Sequence, residues 1–348
     1  MGTDAPGIGL DADVKIQVFV NEKSKDRMYN DLSPEKAQEL YGSLVPQSYA
    51  AVIQDCRGWT KLLVYKDGAL LVSQFPSSYQ QQTGRDGNLR VADVGTGTGI
   101  WAIQFAQQHP DIQVIGFDLG IPPLQPDCLQ PANIHFAIQD LLAAWPTEGP
   151  AAGPFDLVHC RQVLLNVPDP AEMLRRLFEN LRPGGIVEIR EYWSPMVSEK
   201  DDPAEKPEGS SKGSQIPLLV EWHRGTVEAA AALGCDHGYA ARLPDALREA
   251  GFSEVVVTDR KVPLGGWAPD GSRQQDERMR KMDSLLCKMI EAGAPVMTKE
   301  MFMKGLGWTE EMAVKYAARV VDEVRRADLG LDKICARFRV VTARKPPM

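Results

Sequence analysis

The sequence has 348 residues, of which 39 are basic and 47 acidic, and its formal net charge is -8. Nonspecific binding to nucleic acid or to an anionic membrane needs a positive surface, so this balance argues against both kinds of partner. Hydrophobic residues make up 43% and charged residues 25%, ordinary values for a folded globular chain. The six cysteines form no CxxC pair and the N-terminal residues show no signal-peptide pattern, so we expect a cytoplasmic protein.

The first predicted elements are short helices near the N-terminus. Residues 1–30 show no sustained periodicity, which predicts no regular element there. Residues 33–54 begin with Ser-Pro-Glu and have roughly helical apolar spacing that Pro46 interrupts. We therefore expect residues 1–85 to form a helical N-terminal extension or lid.

From residue 89 onward, short apolar stretches alternate with helical patterns. This alternation predicts βαβ units, and hence a mostly parallel sheet with helices on both faces. We expect one α/β domain over residues 86–348, with helical cap insertions at about 194–245 and 266–330. The seven predicted strands are residues 89–95, 112–118, 133–140, 155–161, 186–193, 252–259 and 334–344.

A glycine-rich turn joins the first of these strands to a helical stretch. It contains Asp93, Gly95, Gly97 and Gly99 in the sequence DVGTGTG. Glycine tolerates positive φ angles and lets the backbone approach a ligand closely, so this turn predicts a cofactor site. The dinucleotide fingerprint GxGxxG requires a third glycine where this chain has Ile100. A nicotinamide cofactor is therefore disfavoured, although it stays an alternative.

Acidic residues end the next two strands. Asp118 ends the second strand, where a carboxylate can accept hydrogen bonds from both hydroxyls of a ribose. Asp140 ends the third strand, where it can accept a hydrogen bond from an adenine amine. We expect the neighbouring Leu119 and Gln139 to contact the same ligand. Together with the glycine turn, these residues indicate a cofactor that contains a nucleoside.

These motifs resemble those of the class I S-adenosylmethionine-dependent methyltransferases, in which an acid precedes GxGxG and the next two strands end in acids. The sequence NLRPGG at residues 180–185 matches a further motif of that family. Later stretches, FDLVHCR, EAGFSEV, VPLGGW and GWT, look like the LaeA-like fungal methyltransferases of secondary metabolism. The resemblance implies a Rossmann-like sheet of seven strands that binds S-adenosylmethionine. The first 80 residues depart from the LaeA pattern, which favours a biosynthetic enzyme over a global regulator.

The implied reaction is methyl transfer to oxygen, or as a second choice to nitrogen, of a small metabolite. Two histidines are candidates for a general base that would take a proton from an acceptor hydroxyl. His159 ends the fourth strand, and His223 lies on a helix that follows the polar residues 197–214. Packing inside the fold is the alternative role for both. Aromatic surface suits a flat apolar acceptor, and the predicted acceptor-binding residues are Arg161, Tyr192, Trp222 and Trp267.

Other functions remain open at this level. The cofactor motif alone does not separate a methyltransferase from a protein that binds S-adenosylmethionine without transferring methyl, such as a regulatory partner or a cyclase. A nicotinamide-dependent oxidoreductase is the second alternative. No metal site is predicted, because the sequence has neither an HExxH nor a CxxC motif. A hydrophobic cap helix would serve a homodimer as well as a lid.

Overall fold

The computed structural model describes residues 18–20, 70–73, 75, 77, 79, 89–120, 131–192, 196–198, 217–265, 277–326 and 334–347. The helices predicted within 33–54, most of the polar stretch 197–214 and Trp267 lie outside these residues. The limits of the extension and of the cap insertions stay predictions.

One mixed sheet organises the described residues. Its strands are β1 (Val18–Val20), β2 (Arg90–Val94), β3 (Gln113–Asp118), β4 (Ile134–Ile138), β5 (Phe155–Arg161), β6 (Leu181–Tyr192), β7 (Val197–Ser198), β8 (Ser253–Pro263) and β9 (Ile334–Arg344). The order is β1-β4-β3-β2-β5-β6-β9-β7, and β8 also pairs with β9. Neighbours from β1 to β6 are parallel, whereas β9 is antiparallel to β6, β7 and β8. The seven predicted strands are all present, which confirms the α/β sheet.

Helices connect the strands and build the cap. They are α1 (Ile100–Gln108), α2 (Pro170–Asn180), α3 (Leu218–Ala232), α4 (Tyr239–Glu249), α5 (Glu277–Met297), α6 (Met303–Leu306) and α7 (Glu310–Arg325). The start of α2 follows its sequence: Asp169 accepts a hydrogen bond from the backbone N–H of Glu172 at 2.9 Å, and Pro170 is the first helical residue. No helix in this part of the chain is long and apolar enough to cross a membrane.

Two predicted boundaries were wrong. The sequence DPAEMLRRLFENLRPGG at residues 169–185 predicts a helix that ends at its Gly-Gly pair, but the helix ends at Asn180, because the backbone of Leu181 is extended and pairs with Phe155 in the sheet. Residues 1–30, for which no element was predicted, contain the short strand β1, whose three residues pair in parallel with β4. Pairing with a distant strand stabilises both segments, and local periodicity does not report it.

Apolar side chains cover both faces of the central strands. Val94 and Ile189 belong to a core cluster with residues of α2 and α4, whereas Val91 and Leu157 belong to a second cluster with residues of α1. A third cluster joins α3, α5 and α7 to β9 and forms the cap. The carboxyl ends of β2 to β6 meet at one edge of the sheet, which is where open α/β sheets bind their ligands.

Candidate active site

The turn between β2 and α1 depends on its glycines. Gly95, Gly97 and Gly99 have φ angles of 66°, 58° and 72°, in the left-handed region that other residues rarely adopt. Gly95 has a second constraint, because a Cβ there would lie 2.2 Å from a methyl carbon of Val163. The backbone N–H of Thr96 donates to the carbonyl of Phe117 at 2.9 Å and ties the turn to β3. The turn therefore presents main chain at the ligand edge.

Asp93 lies beneath this turn and has almost no contact with solvent. Its Oδ2 accepts a hydrogen bond from the Thr96 hydroxyl at 2.6 Å, and its Oδ1 is 2.7 Å from Nδ1 of His159. The imidazole of His159 is completely buried and stacks on Trp101, with ring centroids 3.8 Å apart and planes 7° from parallel. The structure thus brings the predicted Asp93 and His159 together in the interior, below the cofactor turn.

Asp118 lies at the end of β3, directly beside the turn. Its Oδ2 accepts a hydrogen bond from the backbone N–H of Gly97 at 2.7 Å, and its Oδ1 from that of Leu119 at 2.8 Å. An ionised carboxylate can accept about four hydrogen bonds, so both oxygens keep capacity for ligand hydroxyls. Burial raises the pKa of Asp118 to about 6. The side chain of Leu119 is 39% exposed and offers an apolar surface next to the carboxylate.

The two predicted residues at the end of β4 are both buried. Oδ1 of Asp140 accepts a hydrogen bond from the backbone N–H of Leu142 at 2.9 Å. The side chain of Gln139 is completely buried, and its Nε2 donates to the carbonyl oxygen of Asp140 at 2.6 Å. Gln139 therefore holds the loop that follows β4, and a direct contact of its side chain with the cofactor stays a prediction.

A further carboxyl group supports the loop that follows β5. Oε1 of Glu191 accepts hydrogen bonds from the backbone N–H groups of Val163 and Leu164 at 3.1 and 2.9 Å. Burial raises the pKa of Glu191 to about 8, so the group is mostly neutral at pH 7. Because Val163 packs against Gly95, the hydrogen bonds of Glu191 hold in place the residue that lies directly behind the glycine turn. The sequence pattern carries no signal for this role.

His223 and Tyr192 lie together where the cap meets the sheet edge. Their ring centroids are 4.9 Å apart, and Nδ1 of His223 accepts a hydrogen bond from the backbone N–H of Met196 at 3.3 Å. Burial lowers the pKa of His223 to about 3. The buried hydroxyl oxygen of Tyr192 makes no hydrogen bond with any residue that the structure describes. The other side of the Tyr192 ring packs edge-on against Phe338 of β9.

Two other predicted acceptor residues have different surroundings. Trp222 lies inside the cap, and its Nε1 donates to the hydroxyl of Thr298 at 2.8 Å. Arg161 ends β5 opposite Arg190 of β6, and burial lowers the pKa of its guanidinium group. Both stay predictions as acceptor contacts, and the packing of Trp222 gives it a structural role in the cap.

The residues at this edge fit a nucleoside cofactor. Because β2, β3 and β4 are parallel neighbours, their carboxyl ends place the turn, Asp118 and Asp140 side by side. The backbone N–H groups of the turn suit an anionic part of a ligand, and the carboxylate of Asp118 has spare acceptor capacity for its hydroxyl groups. The exposed surface of Leu119 suits a flat apolar part.

Comparison with known proteins specifies that cofactor. A family model described as a methyltransferase domain matches residues 66–223. The methyltransferase pytC of Aspergillus terreus is 29% identical over 257 residues, which cover 74% of this chain and 71% of that protein. The secondary metabolism regulator laeA of Monascus pilosus is 30% identical over 264 residues, which cover 74% and 64%.

Among solved structures, the cyclopropane synthase MmaA2 from Mycobacterium tuberculosis aligns with a TM-score of 0.47 and 13% identity, over 90% of this chain and 98% of that one. A likeness at this level carries no functional information. The domain match and the named relatives identify S-adenosylmethionine as the cofactor of the site described above. The chain thus carries an S-adenosylmethionine-dependent methyltransferase domain and is similar to the LaeA-like methyltransferases of fungal secondary metabolism.

Proposed function

We propose that this enzyme transfers a methyl group to an oxygen atom of a small, largely apolar metabolite, with nitrogen as the second choice. The observation that carries the proposal is the pair formed by His223 and Tyr192 at the sheet edge. Buried polar atoms are normally hydrogen-bonded, and the hydroxyl of Tyr192 has no such bond within the described residues. An acceptor oxygen supplies the missing partner.

The cap around this pair supports an apolar acceptor. Tyr192 packs against a hydrophobic cluster that is rich in methionine, a flexible side chain that adapts to irregular shapes. Trp308 and Tyr316 extend the same cluster with aromatic surface. Ligand sites commonly combine such apolar walls with a few polar groups that fix orientation. The methionines of the cluster are Met196, Met279, Met282, Met289, Met297 and Met301.

S-adenosylmethionine supplies a methyl group on a positively charged sulfur. The protein contributes chiefly by holding the acceptor in line, since orientation alone lowers the barrier of such reactions strongly. Nδ1 of His223 accepts the Met196 N–H, so Nε2 carries the proton of the neutral ring. A ring with a pKa of about 3 is also a weak base at neutral pH. We therefore assign His223 the role of a hydrogen-bond donor that orients the acceptor.

The cofactor contacts follow from the other half of the site. Asp118 accepts hydrogen bonds from the ribose hydroxyls, and the main chain of Gly95 and Gly97 faces the amino-acid part. Leu119 packs on the adenine, whose amine lies on the side of Asp140. Each assignment agrees with the polarity and exposure of the residue concerned.

The proposal is tested by incubating the protein with S-adenosylmethionine labelled with carbon-13 at the methyl group and with phenols, alcohols, carboxylic acids and amines. We expect S-adenosylhomocysteine to form with an oxygen acceptor, and the carbon-13 shift of the product to place the methyl group on oxygen. A label that appears only on nitrogen contradicts the choice of atom. Binding of S-adenosylmethionine without turnover of any acceptor favours a protein that does not transfer methyl.

Two variants then test the acceptor pair. We expect Tyr192→Phe and His223→Phe to lower kcat/KM for the acceptor by about tenfold, the effect of one lost hydrogen bond to a buried polar group. The affinity for S-adenosylhomocysteine should not change. Tyr316→Phe is the matched control, because it removes a hydroxyl elsewhere in the same cap. Equal kcat/KM in Tyr192→Phe, Tyr316→Phe and the natural protein would exclude Tyr192 from the acceptor site.

A further inference from the structure

Buried polar side chains form a row across the sheet, beneath the glycine turn. Asp93 of β2, His159 of β5 and Glu188 of β6 are partners in the registers of adjacent strands. Arg190 follows on the same face, and its Nη2 lies 2.8 Å from Oε1 of Glu188. All four are buried, which costs free energy unless each group is well paired. We call these four residues, Asp93, His159, Glu188 and Arg190, the polar row. Its cost in free energy indicates a role beyond packing.

One end of the polar row holds the chain segment that precedes β2. Oε2 of Glu188 accepts hydrogen bonds from the backbone N–H groups of Val72 and Ser73 at 3.0 and 2.9 Å. The guanidinium group of Arg190 donates to the carbonyl oxygen of Leu70. Glu188 thus accepts hydrogen bonds from the backbone N–H groups of this segment, and Arg190 donates a hydrogen bond to a carbonyl oxygen of the same segment. This arrangement fixes the segment against the sheet.

The other end of the polar row reaches the cofactor turn. The indole N–H of Trp101 donates to the carbonyl oxygen of Leu70 at 3.1 Å, and its ring stacks on His159. His159 in turn contacts Asp93, whose second oxygen accepts the hydroxyl of Thr96 inside the glycine turn. Direct contacts therefore connect residues 70–73, the N-terminal segment, to the glycine turn without a break.

We propose that His159 is a positioning residue, which holds the carboxylate of Asp93 and thereby keeps the glycine turn in the shape that binds S-adenosylmethionine. Glu188 and Arg190 make that shape depend on the docked N-terminal segment. The inference rests on the cofactor assigned to this fold, and it is independent of the acceptor proposed above. His159 has no exposed surface, and its Nε2 makes no hydrogen bond to a described residue, so it has no route to an acceptor proton.

A matched pair of substitutions separates this role from that of a general base. His159→Phe keeps a ring against Trp101 but removes the donor to Asp93, whereas His159→Asn places an amide N–H near the position of Nδ1. We expect the Kd for S-adenosylhomocysteine, measured by calorimetry without acceptor, to rise about tenfold in His159→Phe and less than about threefold in His159→Asn. The value of kcat at saturating cofactor should stay within about twofold in both.

Several results would overturn the proposal. One is an unchanged Kd in a His159→Phe protein that melts as cooperatively as the natural one. Another is an unchanged Kd with kcat lost in both variants, which is the behaviour of a general base. If His159→Phe does not fold, Thr96→Val removes the other hydrogen bond to Asp93 with little change of shape. It should weaken binding several-fold, and Thr96→Ser should restore it; equal binding by Thr96→Val and the natural protein refutes the role of Asp93.

The link to the N-terminal segment has its own measurement. Hydrogen exchange at the amides of Val72 and Ser73 should slow when S-adenosylhomocysteine binds, because the segment and the turn share the polar row. Glu188→Gln removes the charge that holds both amides, so their exchange should become faster and the Kd should rise. If the exchange rates do not change when the ligand binds and the Kd is unchanged in Glu188→Gln, the segment does not influence the turn.

Discussion

Replacement of Asp118 gives the sharpest test of the cofactor site. The carboxylate has two roles: it accepts hydrogen bonds from the backbone of Gly97 and Leu119, and we assign it the ribose hydroxyls. Asp118→Ala removes both roles. Asp118→Asn keeps one acceptor oxygen but turns an amide donor towards one of the two backbone N–H groups, so it loses part of each.

The magnitude follows from the number of bonds lost. A hydrogen bond to a charged group contributes about 1.5–3 kcal/mol, and solvent replaces part of this when the partner is a hydroxyl. We expect Asp118→Ala to weaken the binding of S-adenosylhomocysteine by about 1–3 kcal/mol, a factor of roughly 5 to 150 in Kd. Isothermal titration calorimetry at pH 7.5 measures it. The affinity of Asp118→Asn should lie between those of the natural protein and Asp118→Ala. Equal affinity in the natural protein and Asp118→Ala would refute the assignment.

The pH dependence of binding provides an internal control. Burial raises the pKa of Asp118 from its ordinary value of 3.8 to about 6, so the ionised acceptor is lost as the pH falls through 6. Affinity should therefore decrease from pH 7 to pH 5 in the natural protein and change little in Asp118→Asn. The stability of the free protein should show the opposite trend, because a raised folded-state pKa lowers the free energy of unfolding as the pH rises from about 4 to 6. A Kd that is flat in the natural protein contradicts the role of the carboxylate.

Two further predictions concern the support of the glycine turn. Gly95→Ala should lower the free energy of unfolding by more than about 1 kcal/mol in urea titrations, because a Cβ meets Val163 as well as a left-handed backbone. Gly149→Ala is the control, since Gly149 has a φ of 80° but no atom near its Cβ; equal losses would show that the contact with Val163 does not matter. Glu191→Gln should abolish a fall of Tm between pH 6 and pH 8. In this range the folded natural protein keeps the proton on Glu191, whose pKa is about 8, whereas the unfolded chain has lost it, so stability falls as the pH rises. A Tm that declines equally in both proteins contradicts the neutral state of Glu191.

Local patterns were enough to predict the sheet and the cofactor turn. Apolar stretches of strand length predicted seven of the nine strands that the described residues form, and the short strands β1 and β7 were missed. The central parallel strands were the easiest to predict, because buried parallel strands are nearly continuous in hydrophobic residues. The glycine turn is equally local: each of its three glycines has a positive φ that few other residues tolerate. A motif of this kind reports the conformation of its own backbone, so the sequence alone suffices to recognise it.

The polar row could not be predicted, because its contacts join residues far apart in the chain. Asp93 and His159 are 66 positions apart, and Val72 and Glu188 are 116 apart. Their pairing depends on which strands lie side by side and in which register, and a period of two residues does not contain that information. The role of His159 was open in the sequence for the same reason: its position near a strand end allowed a general base or a packed residue, and the partners that decide between them lie on neighbouring strands.

From the surroundings of the two histidines we infer that the proposed methyl transfer relies on positioning more than on proton transfer. His159 is buried between Trp101 and Asp93, and Nδ1 of His223 accepts a backbone hydrogen bond, which leaves the proton of the neutral ring on Nε2. Neither histidine therefore offers an accessible nitrogen with a free lone pair to take a proton from an acceptor. For the proposed transfer to oxygen, we therefore expect the acceptor to lose its proton to solvent or to bind already ionised, which favours phenols and carboxylic acids over simple alcohols. That preference follows from the hydrogen-bond direction at His223 and agrees with the apolar cap, which suits a flat aromatic acceptor.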